Sequence, residues 1–516
     1  MRARHTSRDR ESRDEAETAW ENGEYERCLQ LTSPSYAADE GRRAERAIVR
    51  ARALVRLGKH AEASQCLQFL LGHSDRDIRL TARSLIGAAR IRGGDGDALR
   101  DLQQALSDAA TAAPAVRAEL AVHVALAHYA RGAYAAADAA LDRVGPETDI
   151  VYARALEFRG WIAMAYGDQD RATTSFLKAL EVIGGCRRRD RYVEVNCTQA
   201  LAGLALERFD REAWAVVTQR RAALDWSAGS FGEHRFFIAM RAAVFAYDVE
   251  GDPQLAAWEA HCAEEWAPND AFRTQALCCR AAVARKAREA VSQRNHVEAA
   301  YRVFLGMRQP LGEGDETMVP MVLAEELANV GRAAEARSMM AIFRNRRTSA
   351  VISMSHDPRL AGYETLVEAQ VLEAEGRRRE AVAAFREAFE FFSRIGSARR
   401  SLTAAVRLLR LAPDDPSLWR HVDAVAAQTA KGSWIASLSE GLRRAHAART
   451  LTAVQRDYLT LLCDGKSNPE IARIRRRSVH TVRNQVAALF ETFAVGSRAE
   501  LVAQCARLGI LDSADG

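Results

Sequence analysis

The sequence predicts an all-α protein, a long array of helical hairpins followed by a small helical C-terminal domain, and three observations support that reading. A Gly or Arg followed five residues later by a small residue recurs ten times at intervals of 35 to 45 residues. Apolar residues at helical spacing flank each occurrence, as in "RAIVRARALVRLGKH" before Gly58 and "AAADAALDRVG" after Gly132. From Leu451 the pattern changes to shorter helical segments set around three consecutive arginines.

At 516 residues and 48% hydrophobic content the chain is long enough for several cores or one extended array. Residues 1–15 are charged and lack the apolar stretch of a signal peptide, and no run approaches the roughly 18 apolar residues of a membrane span, so a cytoplasmic location is expected. The array is expected over 16–430. Its units are Gly23/Cys28, Gly58/Ala63, Gly93/Ala98, Gly132/Ala137, Gly167/Ala172, Arg208/Ala213, Gly251/Ala256, Arg294/Ala299, Gly331/Ala336 and Gly376/Ala381. The first residue of each pair permits a tight turn between two helices, and the small residue lets the second helix lie against the first. One hairpin cannot bury its own apolar face, so neighbours must stack.

These units resemble the tetratricopeptide repeat family. Gly23-Glu24-Tyr25 and Gly132-Ala133-Tyr134 keep its Gly-x-Tyr signature, whereas Gly58-Lys59-His60 and Arg208-Phe209 depart from it, and the later units are longer than the family's period. The resemblance implies a superhelix with a concave groove that takes a peptide, a protein or a small-molecule effector. Trp161, Trp214, Trp226, Trp258, Trp266 and Trp419 are expected as helix-packing residues, with a groove lining as the alternative. The segments "DWSAGSFGEHRFF", "PLGEGDETMVP" and "TSAVISMSHDPRLAGYE" are inserted loops of the kind that carry binding function, and "CRRRDR", Cys186 to Arg191, reads as a solvated turn. The nine cysteines include no CxxC pair and are expected to be buried, reduced thiols.

A helical linker is expected over 431–448 and a separate domain over 449–511. This last segment holds ten Arg and Lys against five Asp and Glu, a local excess equal to the +5 of the entire chain. "LTAVQRDYLTLLCDG" sets Leu451, Val454, Tyr458, Leu461 and Leu462 at helical spacing, with Gly465 as the stop. Ser467-x-x-Glu470 is a capping box, and Pro469 sits in the first turn of a second short helix carrying Ile471, Ala472 and Ile474. Arg475, Arg476 and Arg477 close it, and Ser478 caps a third helix with Val482, Val486, Leu489, Phe490 and Phe493 as its apolar stripe. Two helices joined by a tight polar turn make a helix-turn-helix, whose last helix enters the major groove. Its outward positions include Arg483, suited to guanine, Asn484, suited to adenine or phosphate, and Ala487. The arginine run is placed for phosphates.

This segment resembles the LuxR-type helix-turn-helix in Leu451-Thr452, Leu459, Gly465, Ser467-Asn468, Glu470-Ile471-Ala472, Ser478, Thr481-Val482, Val495, Ser497-Arg498 and Leu508-Gly509-Ile510-Leu511. The resemblance implies a four-helix module that binds double-stranded promoter DNA as a homodimer, with RNA polymerase as a further partner and His480 and Thr481 among the contacting residues. It departs from the family at Val454-Gln455, Arg475, Gln485 and Thr492. If Arg475 takes the family's core position, its charge must be buried or reach outward, and Ile474 is the residue placed to fill the gap.

No catalytic chemistry is expected. "TLLCDGKS" ends like a phosphate-binding loop, but Thr460 replaces the first Gly and an amphipathic helix precedes it. There is no HExxH or GxSxG, and no metal or cofactor pattern. Large LuxR-type regulators often carry an ATPase module, for which an array starting near residue 16 is expected to leave no room. The expected function is a bacterial DNA-binding transcriptional regulator whose array senses an effector. The alternative is a tetratricopeptide-type scaffold whose helix-turn-helix is degenerate and does not bind DNA.

Overall fold

The structure is a computed structural model that describes residues 15–33, 40–186, 188–224, 226, 229–311, 314–349, 358–413, 415–493 and 495–508. Among these residues every regular element is helical. The chain divides into two compact units, Met1–Tyr247 with Asp252–Ala404, and Asp248–Gly251 with Ala405–Gly516.

The first unit is a succession of helical hairpins. Four consecutive first helices, Glu40–Arg56, Arg76–Arg92, Pro114–Ala130 and Ile150–Tyr166, each have 17 residues. Their partners are His60–Leu67, Ala98–Asp108, Tyr134–Leu141 and Gln169–Gly185. Five further hairpins follow, from Arg191–Arg208 with Arg211–Ala223 to Pro358–Ala374 with Arg378–Arg394. One local bond marks the turns: the amide after a left-handed residue donates back to the first helix, as in Lys59 to Leu54 O, Ala133 to His128 O and Asp168 to Ala163 O, each 2.9 Å. That closure satisfies a carbonyl the helix end would otherwise orphan.

Three turns differ from the sequence expectation. The left-handed residue of the third is Gly94, one past Gly93. In the sixth it is Phe209 instead of Arg208, with φ of 57°, and Asp210 N still reaches Ala205 O at 2.9 Å. The eighth turn falls at Arg288, with φ of 62°, and Arg294 lies inside the helix Ala290–Gly306. A non-glycine residue in this conformation hides the turn from a glycine pattern. The small residue five positions on is otherwise well placed: Cys28, Ala63, Ala98, Ala137, Ala172, Ala213, Ala256, Ala336 and Ala381 are all buried.

The hairpins wind back upon themselves. Tyr25 meets Phe231 edge-on at 6.3 Å between centroids, and a Cβ on Gly23 would lie 2.2 Å from that ring, so only glycine fits there. Arg188 donates to Glu21 at 2.7 Å. Cys186–Arg191 is therefore not a freely solvated turn but part of a tether between distant hairpins; Arg187 lies outside the described residues. Further along, the Glu207 carboxylate accepts from Ser397 Oγ, from Arg399 at 2.7 Å and from Arg400 at 3.2 Å, some 190 residues away in sequence. The charges of Arg399 and Arg400 outweigh the burial that would raise it, and its pKa falls from 4.5 to about 2.

The tryptophans serve packing. Trp161 meets Phe176 edge-on, Trp214 stacks on Phe245 at 4.4 Å, Arg235 lies over Trp266, and Trp419 donates to Pro413 O. Trp258 is the exception and faces solvent. Six cysteines are buried and Cys66, Cys186 and Cys463 are half-buried; all nine are free thiols. The segment 350–357, part of the third inserted loop, lies outside the described residues.

In the second unit, Pro416–Ala426 pairs with Trp434–Thr450, the latter capped by Ser433 accepting from Ala436 N at 3.2 Å. Four helices follow, Ala453–Cys463, Asn468–Arg475, Val479–Phe493 and Arg498–Leu508.

Candidate nucleic-acid interface

The four last helices are positioned by their caps. Thr452 and Gln455 bond reciprocally at the first helix. At the second, Ser467 N and Oγ both donate to Glu470, at 2.7 and 2.6 Å, and these bonds hold the Glu470 carboxyl below its ordinary value. Arg476 takes the left-handed conformation that ends this helix, Arg477 N donates to Ala472 O, and Ser478 accepts from Thr481 N to start the next. Ser497 caps the fourth helix, where Arg498 donates to Leu462 O at 2.7 Å and ties it to the first.

One apolar core joins all four. It contains Leu451, Tyr458, Leu459, Leu462, Ile471, Ala472, Val482, Val486, Leu489, Phe493, Leu501 and Cys505. Two expected core residues are outside it: Val454 is 49% exposed and Ile474 is 52% exposed. Ile474 therefore does not fill the gap beside Arg475. Arg475 instead reaches outward along Tyr458 and pairs with Asp457 at 3.0 Å. A guanidinium held near an aromatic ring and paired with a surface carboxylate keeps its charge out of the core.

The expected DNA-facing residues lie together on the polar side. Arg476, Arg477, Ser478, His480, Thr481, Arg483, Asn484 and Ala487 are exposed, while the third helix turns Val482, Val486, Leu489 and Phe493 into the core. Arg476, Arg477 and Arg483 form no ion pair with a described residue, in contrast to Arg475. Arg473 and Lys466, which the sequence reading did not single out, are exposed and also form no ion pair with a described residue. Gly509, Ile510 and Leu511, part of the motif at the end of the chain, lie outside the described residues.

The array contributes a second polar assembly, between residues of different hairpins. Arg52 grips Glu119 with bonds of 3.0 and 3.2 Å, and Arg154 bridges Glu119 at 3.7 Å and Asp190 at 2.7 Å. Ser84 contacts His123 Nδ1 at 2.7 Å, and Asn196 donates to Glu157. Burial pushes the pKa values of His123 and His234 down to about 4, so both are neutral near pH 7.

No family model matches the chain, and no curated protein does. Among solved structures, the crystal structure of yeast Tom70 aligns over 80% of this chain and 98% of its own, at 12% identity and a TM-score of 0.30, a correspondence too loose to build on.

Proposed function

We propose that this protein is a sequence-specific DNA-binding transcriptional regulator, with the LuxR-type helix-turn-helix that its C-terminal residues resemble as the reader and the hairpin array as the effector-responsive part. The observation that carries the reading is the set of exposed arginines without an ion pair to a described residue, Arg476 and Arg477 just before the third helix and Arg483 beside Asn484 on it, the opposite face of that helix belonging to the core. Surface cations in a folded protein gain from a carboxylate neighbour when one is near; a cluster left without one is suited to phosphates. Arg476 and Arg477 supply affinity, and Arg483 and Asn484 face the base edges. A second copy on a two-fold site doubles both contributions. An effector acts by binding one state of the array more tightly than another, since only differential affinity moves an equilibrium.

The test is equilibrium binding of the full chain to a duplex selected from a random pool, over a series of salt concentrations. Affinity falls steeply with salt, and Arg476→Gln with Arg477→Gln flattens the slope. Absence of any enriched duplex would leave a helical-repeat scaffold as the better description.

A further inference from the structure

The C-terminal module brings two cysteines together from opposite ends of its sequence. Cys463 ends the first helix, Ala453–Cys463, and Cys505 lies in the last, Arg498–Leu508. Each sits on the apolar stripe of its helix: Cys463 comes four residues after the buried Leu459, and Cys505 four residues after the buried Leu501. Leu459, Leu501 and Cys505 belong to one core, and Cys463 packs against it. Arg498, earlier on the last helix, donates to the carbonyl of Leu462, the neighbour of Cys463, at 2.7 Å, and so pins the last helix to the end of the first. The two thiols are hydrogen-bonded to each other.

This pair is unlike the other cysteines. Cys278 and Cys279 are adjacent but on one helix, where successive side chains point apart. Burial pushes the thiol of Cys28 up to about 12 and that of Cys66 up to about 11, and it raises Cys186, Cys197, Cys262 and Cys278 as well. Cys463 moves the other way: the hydrogen bond from Cys505, with help from Arg498, holds it below its ordinary value although it is half-buried. Cys505, fully buried and donating, is held above its own. A thiol that solvent reaches, with raised thiolate character and a second thiol in contact, is the arrangement that oxidants select.

We propose that Cys463 and Cys505 are a peroxide-responsive pair, Cys463 the attacking sulfur and Cys505 the resolving one, whose oxidised form is a disulfide between the first and last helices of the module. The Cys463 thiolate attacks one oxygen of a hydroperoxide; an S–O bond forms, the O–O bond breaks, and the departing oxygen takes up a proton to leave as an alcohol or water. The Cys505 sulfur then attacks the Cys463 sulfenic sulfur; the S–S bond forms, the S–O bond breaks, and hydroxide carries the Cys505 proton away as water. Two thiols lose two electrons and the hydroperoxide gains them. The bridge closes a loop that contains Asn468–Arg475 and Val479–Phe493 whole, so it restrains both helices that flank the arginine turn. None of this depends on what the module binds.

The experiment is titration of the reduced full chain with hydrogen peroxide, followed by alkylation, peptide mapping without reductant and non-reducing electrophoresis. The expected result is loss of two of the nine thiols, a cross-linked peptide joining Cys463 to Cys505, migration as a single chain, and recovery of both thiols with dithiothreitol. In Cys505→Ala the Cys463 thiol stops as a sulfenic acid that dimedone captures. In Cys463→Ala the Cys505 thiol survives the same dose, which keeps the test decisive if loss of the buried Cys505 unfolds the module. Survival of both thiols at a dose that oxidises other cysteines, bridging of Cys463 to any other cysteine or to a second copy, or equal loss of Cys505 in Cys463→Ala overturns the proposal. Binding to duplex DNA is measured separately on the reduced chain, so failure of the DNA reading and failure of the thiol pair are told apart.

Discussion

The array and the C-terminal four-helix core both bury apolar side chains, but the array adds ion pairs between its hairpins. The array places charge inside, joining distant hairpins through Glu119, Asp190 and Glu207. The C-terminal core is apolar throughout, and its cations are outside. The difference lies in the demand on each part. Stacked hairpins have no single centre, and buried ion pairs fix which distant hairpins meet, a specificity role that apolar contact alone does not supply. A four-helix module closes on one centre and frees its polar side for a partner. In the C-terminal module the informative residues are Arg476, Arg477 and Arg483, exposed arginines that form no ion pair with a described residue.

The largest effect expected from breaking this contrast is at Glu207. Glu207→Gln leaves Arg399 and Arg400 without their shared carboxylate and costs about 3–5 kcal/mol of array stability, read from denaturant unfolding; a cost below about 1 kcal/mol would show that the staple is dispensable.

The same carboxylate gives a pH dependence. Its folded pKa, about 2, lies below its ordinary 4.5, so its contribution is complete above pH 4.5 and is lost as pH falls toward 2. His123 and His234, held at about 4 against an ordinary 6.5, act in the same direction: stability is full above pH 6.5 and declines as the unfolded state takes up protons first. Tm measured from pH 7.5 to 3 should therefore fall in two stages, the first starting near pH 6.5. A flat profile down to pH 5 would contradict the neutral inner histidines.

At the C-terminal surface, Arg483→Ala is expected to cost about 1–3 kcal/mol on a selected duplex and to relax preference at one base pair. An equal loss on every sequence would assign Arg483 to phosphate. Arg476→Gln with Arg477→Gln should weaken all duplexes alike and flatten the salt slope by about one for each phosphate contact removed. The smallest effect belongs to Arg475→Leu, which exchanges a half-exposed pair with Asp457 for apolar contact with Tyr458; unfolding should shift by less than about 1 kcal/mol. A much larger gain in stability would mean that the outward path of Arg475 strains the second helix.

The hairpins were legible in the sequence because their turns repeat a local requirement, a left-handed residue and a small residue five positions on. They were placed one residue early at Phe209, and six residues late at Arg288, where the requirement is met without glycine. Arg483, Asn484 and Ala487 were legible from helical periodicity, since the apolar stripe of the third helix fixes its other side, whereas His480 and Thr481 came from the resemblance. What could not be read was contact between distant hairpins. "CRRRDR" looks like a solvated turn until Glu21 is seen beside Arg188. Ile474 was misjudged because a short helix offers too few turns to fix which side is buried.

The most direct test of the central claim is selection of duplexes from a random pool by the full chain, followed by a salt titration on the enriched sequence with the parent and the Arg476→Gln, Arg477→Gln double variant. A single enriched motif, bound with an affinity that falls steeply with salt and less steeply in the variant, is the predicted result. No enriched motif, or a salt slope that the double variant leaves unchanged, would contradict it.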